Sequence, residues 1–325
     1  MRCVYAASQS TDDPLSGLAI GELEPEVPQG WVWVEIRAAA LNHHDLWSLR
    51  GVGLPADRLP MVLGTDAAGV APDGSEVIVH AVVATRGWEG DETLDPRRTL
   101  LSELYPGTLA DRVAVPGRNL VPKPAGMSSV EAACLPTAYL TAYRLLFGAA
   151  QAKPGQRVLI QGAGGGVATA ALLLARAAGL HVTVTSRSET KLAAARALGA
   201  HDAVPAGERV APVDVVIETV GEATWQHSLR SLRPGGVVAV AGATSGPAPS
   251  ADLARVFFRS LRVVGSTMGT REELDRLACM MSATGVSPAV ADVSDLDSDS
   301  DVRAAFATLL AGDMVGKLVL TRKEG

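Results

Sequence analysis

Two textures divide the hydrophobic and polar positions of this chain. Through the first 120 residues, apolar positions come in short runs broken by Pro and Gly. Residues 31–37 alternate, with Val32, Val34 and Ile36 on one face, the period-two signature of a half-buried strand. Residues 70–79 read as two short strands around a Pro72-Asp73-Gly74 turn, and Pro106-Gly107 and Pro116-Gly117 punctuate the rest. The pattern predicts a compact β-rich unit. After Pro122-Lys123-Pro124 the period changes: a helix is predicted over 129–149, ending at Lys153-Pro154-Gly155. Apolar strands at 158–161, 181–185, 213–218, 237–241 and 261–266 then alternate with helices, one of them at 189–198, and Arg233-Pro-Gly-Gly236 reads as a turn. Repeated βα units with nearly continuous apolar strands predict a parallel sheet covered on both faces. The tail holds predicted helices at 271–284 and near 302–310, then a strand at 317–321 expected to return to the first unit. The expected division is 1–122 with 287–325 as the β-rich domain, and 123–286 as the α/β domain.

The junction of the strand at 158–161 with the helix after it carries the strongest chemical signal. Gly162, Gly164, Gly165 and Gly166 crowd a sharp strand-to-helix turn, and Val167 opens an alanine-leucine helix. Side chains are missing where a phosphate could approach exposed N–H groups and the positive end of a helix dipole. A strand before, a helix after and a second strand at βαβ spacing predict a dinucleotide site. The second strand ends in Ser186-Arg187-Ser188, with Lys191 one turn on and no carboxylate before Glu189. Hydroxyls and an Arg fork suit a 2′-phosphate, which a carboxylate would repel, so NADPH is the expected cofactor.

Composition narrows the partners. With 47% hydrophobic and 20% charged residues the chain reads as a packed globular protein. A net charge of −6 and the lack of any basic run argue against nucleic acid. The acidic segment 295–301 lacks the glycine and final glutamate of a calcium loop and reads as a solvated loop or helix cap. Three scattered cysteines, Cys3, Cys134 and Cys279, form neither a disulfide framework nor a structural zinc site and suit a reducing compartment. The start has no signal-peptide core and no stretch is long enough to span a bilayer, so a cytoplasmic protein with no membrane partner is expected.

A β-rich unit followed by a glycine-turn Rossmann unit resembles the medium-chain dehydrogenase/reductase superfamily. The matching segments are 39–45, 63–69, 106–111, 140–143, 214–221 and 316–320, and the turn fits the quinone-oxidoreductase branch with small residues at Gly162, Gly165 and Ala168. The resemblance implies an α/β protein: a doubly wound Rossmann sheet plus a β-rich, GroES-like catalytic domain, in a homodimer acting on a small-molecule substrate. Zinc alcohol dehydrogenases of that superfamily place a catalytic cysteine where this chain has Asn42, and a histidine where it has Thr65. Cys134 lies near the third ligand position, but a single thiolate cannot hold zinc, and residues 86–104 lack the cysteines of a structural lobe. No metal is therefore expected. An improvised site from His43, His44 and Asp66 carries little weight.

The same resemblance implies further roles. Asn42 would hydrogen-bond a substrate carbonyl, or as a loop asparagine bond its own backbone. His44 would stand in a relay position, and His43 near the pyrophosphate. Thr137 and Thr141 would face the cofactor, with Gly242 and Lys317 also near it, and Trp47 replaces a frequent tyrosine. Reducing a simple ketone calls for a Lewis acid, whereas enones and quinones accept hydride readily. The expected activity is NADPH-dependent hydride transfer to an activated double bond. A metal-free carbonyl reductase and a non-catalytic NADPH sensor are the alternatives.

Overall fold

The computed structural model describes residues 1–322, in two compact units: 1–137 with 270 onward, and 138–269. The units divide later than the expected 122 and earlier than the expected 286. The short helix Ser129–Ala133 packs on the strands Val32–Ala40 and Asp66–Val70, and the helix Arg271–Thr284 packs on Leu120–Pro122, so both belong to the first unit.

The first unit is built on the strand Val32–Ala40. Its burial alternates around Val34 and Ile36, which are enclosed, while Glu35 is exposed. Along one edge lies Asp66–Val70, with Ala40 opposite Asp66, followed by Glu76–Val79 and Leu120–Pro122. The other edge is shared. Arg112–Val115 takes the first half and Lys317–Thr321 the second, with Val319 opposite Ala40. The C-terminal strand thus lies beside Val32–Ala40, and Val290–Asp295 pairs parallel to it as a strand that hydrophobic pattern does not reveal. Leu41, Leu46, Leu63, Leu109, Phe306 and Leu318 help fill one core beneath this sheet. The acidic segment caps a helix: Ser298 accepts from the N–H of Asp301 at the start of Asp299–Ala311.

The second unit is a doubly wound parallel sheet in the order Asp202–Pro205, His181–Ser186, Arg157–Ile160, Val213–Glu218, Leu232–Val240, Arg262–Gly265. Val158 pairs with Val182 on one side and Val215 on the other, so chain order reverses at this central strand. A crevice at the carboxyl ends of the strands is where such sheets take ligands. Two local expectations need correction. The predicted turn at Arg233–Gly236 lies within the strand Leu232–Val240, which pairs from Val213–Leu232 across a register shift. The helix predicted over 129–149 is broken into Ser129–Ala133, a π-helical turn Leu135–Tyr139, Leu140–Tyr143 and a second π-helical segment Arg144–Ala149. Pro136 has no N–H to continue an α-helical ladder, so the backbone widens there. Among the described residues, no helix is long and apolar enough to cross a membrane.

Candidate active site

The dinucleotide turn follows Arg157–Ile160. The chain reaches the helix Gly166–Ala177 through Gly164 at φ +106°, a conformation that L side chains rarely adopt, with Gly165 as the N-cap. A Cβ on Gly164 would meet Lys191 Cδ at 2.8 Å, so the lysine stem lies along the turn. Gly165 is different: it is exposed, its φ is ordinary, and a Cβ there would meet nothing within 4 Å. Protein packing does not require a glycine at that position. A phosphate lying on the helix amides would. Val167 sits in the first helical turn, partly buried.

Below the turn, Thr185 donates to Gln161 Oε1 at 2.6 Å, and Gln161 Nε2 donates to Ser228 Oγ at 3.0 Å. At the end of Val213–Glu218, the buried Glu218 accepts from the N–H groups of Val220 and Gly221 at 2.8 and 3.0 Å and from the hydroxyls of Thr224 and Ser228. These bonds stiffen the strand ends that border the turn. Ser186 is buried at the tip of its strand and accepts from the N–H of Ser188 at 3.1 Å. Arg187 is exposed beside it and has no hydrogen bond or ion pair among the described residues. Gly242 follows Leu232–Val240, and Thr141 is buried on Leu140–Tyr143.

In the first unit a second constellation forms where Val32–Ala40 runs out. Asn42 precedes the helix His43–Leu49. Asp45 accepts from the N–H of Asn42 at 2.8 Å and from that of Gly64 at 2.9 Å, tying the two segments together. Burial raises the Asp45 pKa against the influence of His44. The Asn42 side chain faces inward. Its Nδ2 donates to Thr65 Oγ1 at 3.1 Å and, at 3.4 Å, to the Ala40 carbonyl, and Thr65 Oγ1 lies 3.0 Å from Thr137 Oγ1. Lys317, only 2% exposed, donates from Nζ to the Leu41 carbonyl at 2.8 Å, to Asn42 Oδ1 at 2.6 Å and to Asp66 Oδ2 at 3.0 Å.

An ammonium group has three protons, and each of these is taken by a protein oxygen. Antiparallel pairing beside Val32–Ala40 puts the amine of Lys317, the residue expected near a cofactor, on Asn42 and Asp66. Thr137, expected at the cofactor, is joined to Thr65. Asn42 is more than a backbone-bonding loop residue, since its two shorter bonds go to other side chains.

The histidines part company. His43 is exposed at the start of its helix. His44 Nε2 lies 3.1 Å from Glu103 Oε1, while Nδ1 is buried without a hydrogen-bond partner among the described residues. Burial pushes the Glu103 pKa up, but the bonds from His44 and the Leu100 N–H outweigh it and leave it below the ordinary carboxylate value. No periodic signal marks Glu103, which lies in an irregular loop. Cys134 stands apart: its Sγ points to the Val130 carbonyl at 3.3 Å and burial pushes the thiol up to about 12. Thr137, not Cys134, is the side chain of this segment that meets Thr65. His43, His44 and Asp66 do not converge, and among the described residues no group of three His, Cys, Asp or Glu could hold a metal.

Comparison with known proteins bears on both constellations. Residues 28–125 match the alcohol dehydrogenase GroES-like domain, and residues 166–283 match the zinc-binding dehydrogenase family. A zinc-type alcohol dehydrogenase-like protein of Schizosaccharomyces pombe is 31% identical, over 95% of this chain and 97% of its own. The chain belongs to the medium-chain dehydrogenase/reductase superfamily. Two solved structures are similar to this chain. An NAD-dependent alcohol dehydrogenase superposes with a TM-score of 0.88 at 31% identity, covering 99% of this chain and 100% of that one. A 2-octenoyl-CoA carboxylase reductase from a Streptomyces species, in complex with NADP and 2-octenoyl-CoA, also gives 0.88, at 25% identity over 99% of this chain and 89% of that one.

The superfamily includes zinc enzymes, and the donor set of this chain does not fit that metal. Catalytic zinc takes three ligands from thiolate, imidazole and carboxylate. Here the groups are a carboxamide, two hydroxyls and the single carboxylate of Asp66, and both the carboxamide oxygen and the carboxylate are already held by an ammonium. The glycine turn does fit a nicotinamide dinucleotide, through the open face at Gly165 and the amides of the helix behind it. The chain is an oxidoreductase of this superfamily.

Proposed function

We propose that the chain is an NADPH-dependent reductase that adds hydride to a carbon–carbon double bond conjugated to a carbonyl, as in an enone, a quinone or an enoyl thioester, without a metal ion. The observation that carries this reading is the hydrogen-bonded set of Lys317, Asn42, Thr65 and Thr137. Hydrogen-bond donors stabilise an enolate as it forms, but they polarise an isolated ketone less than a metal does. The reductase solved with NADP and 2-octenoyl-CoA supports the same class of acceptor.

Bound NADPH supplies the hydride. Gly162, Gly164, Gly165, Gly166 and Val167 would present backbone to its pyrophosphate, and Ser186, Arg187 and Lys191 would hold its 2′-phosphate. His43, Thr141 and Gly242 are proposed as further cofactor contacts. The hydride enters the β-carbon, the double-bond electrons move onto the carbonyl oxygen, and a proton from water or His44 completes the α-carbon. Glu103 orients the His44 ring by holding Nε2.

The deciding experiment follows NADPH oxidation with 2-cyclohexen-1-one, crotonyl-CoA, 1,4-benzoquinone and benzaldehyde, and identifies the products. Saturated products, or hydroquinone, are expected. Turnover of benzaldehyde alone would replace this reading with carbonyl reduction, the activity suggested by alcohol dehydrogenase relatives. Elemental analysis of the active protein is expected to find no stoichiometric zinc, and chelators should leave the rate intact. One tightly held zinc per chain that chelation removes together with activity would overturn the metal-free mechanism.

A further inference from the structure

The hydrogen bonds around Asn42 have a direction that their distances alone do not state. An ammonium can only donate, so the Asn42 atom 2.6 Å from Lys317 Nζ is the carboxamide oxygen. That choice turns Nδ2 toward Thr65 Oγ1, and an amide nitrogen also can only donate. Thr65 is fully buried, and among the described residues its hydroxyl proton has one acceptor within hydrogen-bond distance, Thr137 Oγ1 at 3.0 Å. If the proton pointed elsewhere it would be a buried donor left unsatisfied, which is costly. Donation therefore runs from Lys317 through Asn42 and Thr65 to Thr137. The Thr137 oxygen is occupied as an acceptor and its own proton is left over. Among the described residues the hydroxyl has no second partner, and the side chain is partly exposed, unlike the buried Thr65 and Asn42.

Asn42 itself has nothing left to give. Both protons on Nδ2 are engaged, one by Thr65 and one by the Ala40 carbonyl. We propose that the Thr137 hydroxyl, rather than the Asn42 amide, donates to the carbonyl oxygen of the substrate, and that Lys317, Asn42 and Thr65 are positioning residues that aim and polarise it. The inference rests on the proposed function only in taking the substrate to carry a carbonyl oxygen. Every dipole in the series has its positive end toward Thr137, so negative charge on a bound oxygen is favoured by the hydrogen-bonded line, whose direction is fixed at the far end by the Lys317 ammonium paired with Asp66. Thr137 sits mid-way along the π-helical turn Leu135–Tyr139, a widened geometry that recurs at functional sites.

The test uses whichever of 2-cyclohexen-1-one, crotonyl-CoA and benzaldehyde the wild-type protein reduces fastest. Thr137→Val keeps the side-chain shape and removes the proton. It is expected to lower kcat about a hundredfold with NADPH affinity unchanged, and Thr137→Ser to restore it to within a few-fold of wild type. Asn42→Asp replaces the Nδ2 donor with an acceptor and reverses the series, so the Thr137 proton would be drawn back to Thr65. That variant should lose turnover comparably, and adding it to Thr137→Val should cost little more. Full activity in Thr137→Val, or additive losses in the double variant, would overturn the inference. Reduction of benzaldehyde alone would defeat the enone reading while leaving this comparison intact. Neutron diffraction of deuterium-exchanged crystals decides independently of turnover: deuterium on Thr65 Oγ1 aimed at Thr137 supports the direction, and the reverse orientation refutes it.

Discussion

At the scale of single residues, two of the cations proposed for function, Arg187 and Lys317, lie in opposite environments. Arg187 is exposed and unpaired among the described residues, so it can spend its fork on a phosphate. A charge-assisted contact is worth about 1.5–3 kcal/mol, roughly ten- to a hundredfold in affinity. Arg187→Ala is expected to weaken NADPH by about that factor and leave NADH nearly unchanged, as read by fluorescence titration. Equal losses for both coenzymes would remove the phosphate contact. Lys317 is enclosed, with a buried carboxylate 3.0 Å away whose other oxygen, Asp66 Oδ1, finds no partner among the described residues. Breaking such a pair leaves an uncompensated charge and typically costs about 3–5 kcal/mol. Lys317→Met should lower stability by that order in urea denaturation. A loss well below 1 kcal/mol would show that Asp66 is neutral or hydrated once the lysine is gone.

At the scale of elements, the irregular segment around Glu103 is held to the helix His43–Leu49 by one side chain. Glu103 accepts from His44, from the Leu100 N–H at 3.0 Å and from the Thr99 hydroxyl at 3.2 Å. Its folded pKa is below the ordinary 4.5. The unfolded chain therefore binds this proton more readily, and the carboxylate contributes stability above about pH 4.5 that is lost as pH falls through the folded value. Wild type is expected to lose stability on acidification more steeply than Glu103→Gln in the range just below pH 4.5. Parallel profiles would show that these bonds contribute nothing. The π-helical turn at Leu135–Tyr139 belongs to this scale too: Pro136 denies the helix a regular ladder, and the residue after it, Thr137, joins Thr65.

At the scale of the whole molecule, one of the two edges of the α/β sheet is apolar and open. Among the described residues the strand Arg262–Gly265 pairs with Leu232–Val240 alone, and near it Phe257 and Phe258 are 63% and 80% exposed, with Leu253 and Val263 also open. An apolar patch beside an open strand edge invites a second copy. A homodimer through this face is the expected state. Light scattering should give twice the chain mass, and Phe258→Asp should shift the population toward monomer. A wild-type monomer at micromolar concentration would refute this assembly.

The sequence by itself determined the order of βα units and the glycine turn, because both are local. Apolar periodicity selects strand or helix, and a tight strand-to-helix turn needs missing side chains wherever it lies in the chain. The family resemblance also singled out Asn42 and Thr65 together, as two lost ligand positions, and Asp66, Thr137 and Lys317 in other roles. Which of them meet was decided by tertiary pairing. Lys317 reaches Asn42 only because the strand from Lys317 lies antiparallel to the one that ends at Ala40, 277 positions earlier by number. Thr65 reaches Asn42 because Asp66–Val70 takes the opposite edge of that same strand. Non-local hydrogen bonds leave no periodic trace, so the partner of His44 and the third companion of Asn42 and Thr65 could not be read from spacing. Glu103 lies 59 positions from His44, and Thr137 lies 72 from Thr65. Strands such as Val290–Asp295, half exposed and rich in aspartate, exist because a neighbouring edge is there to receive them.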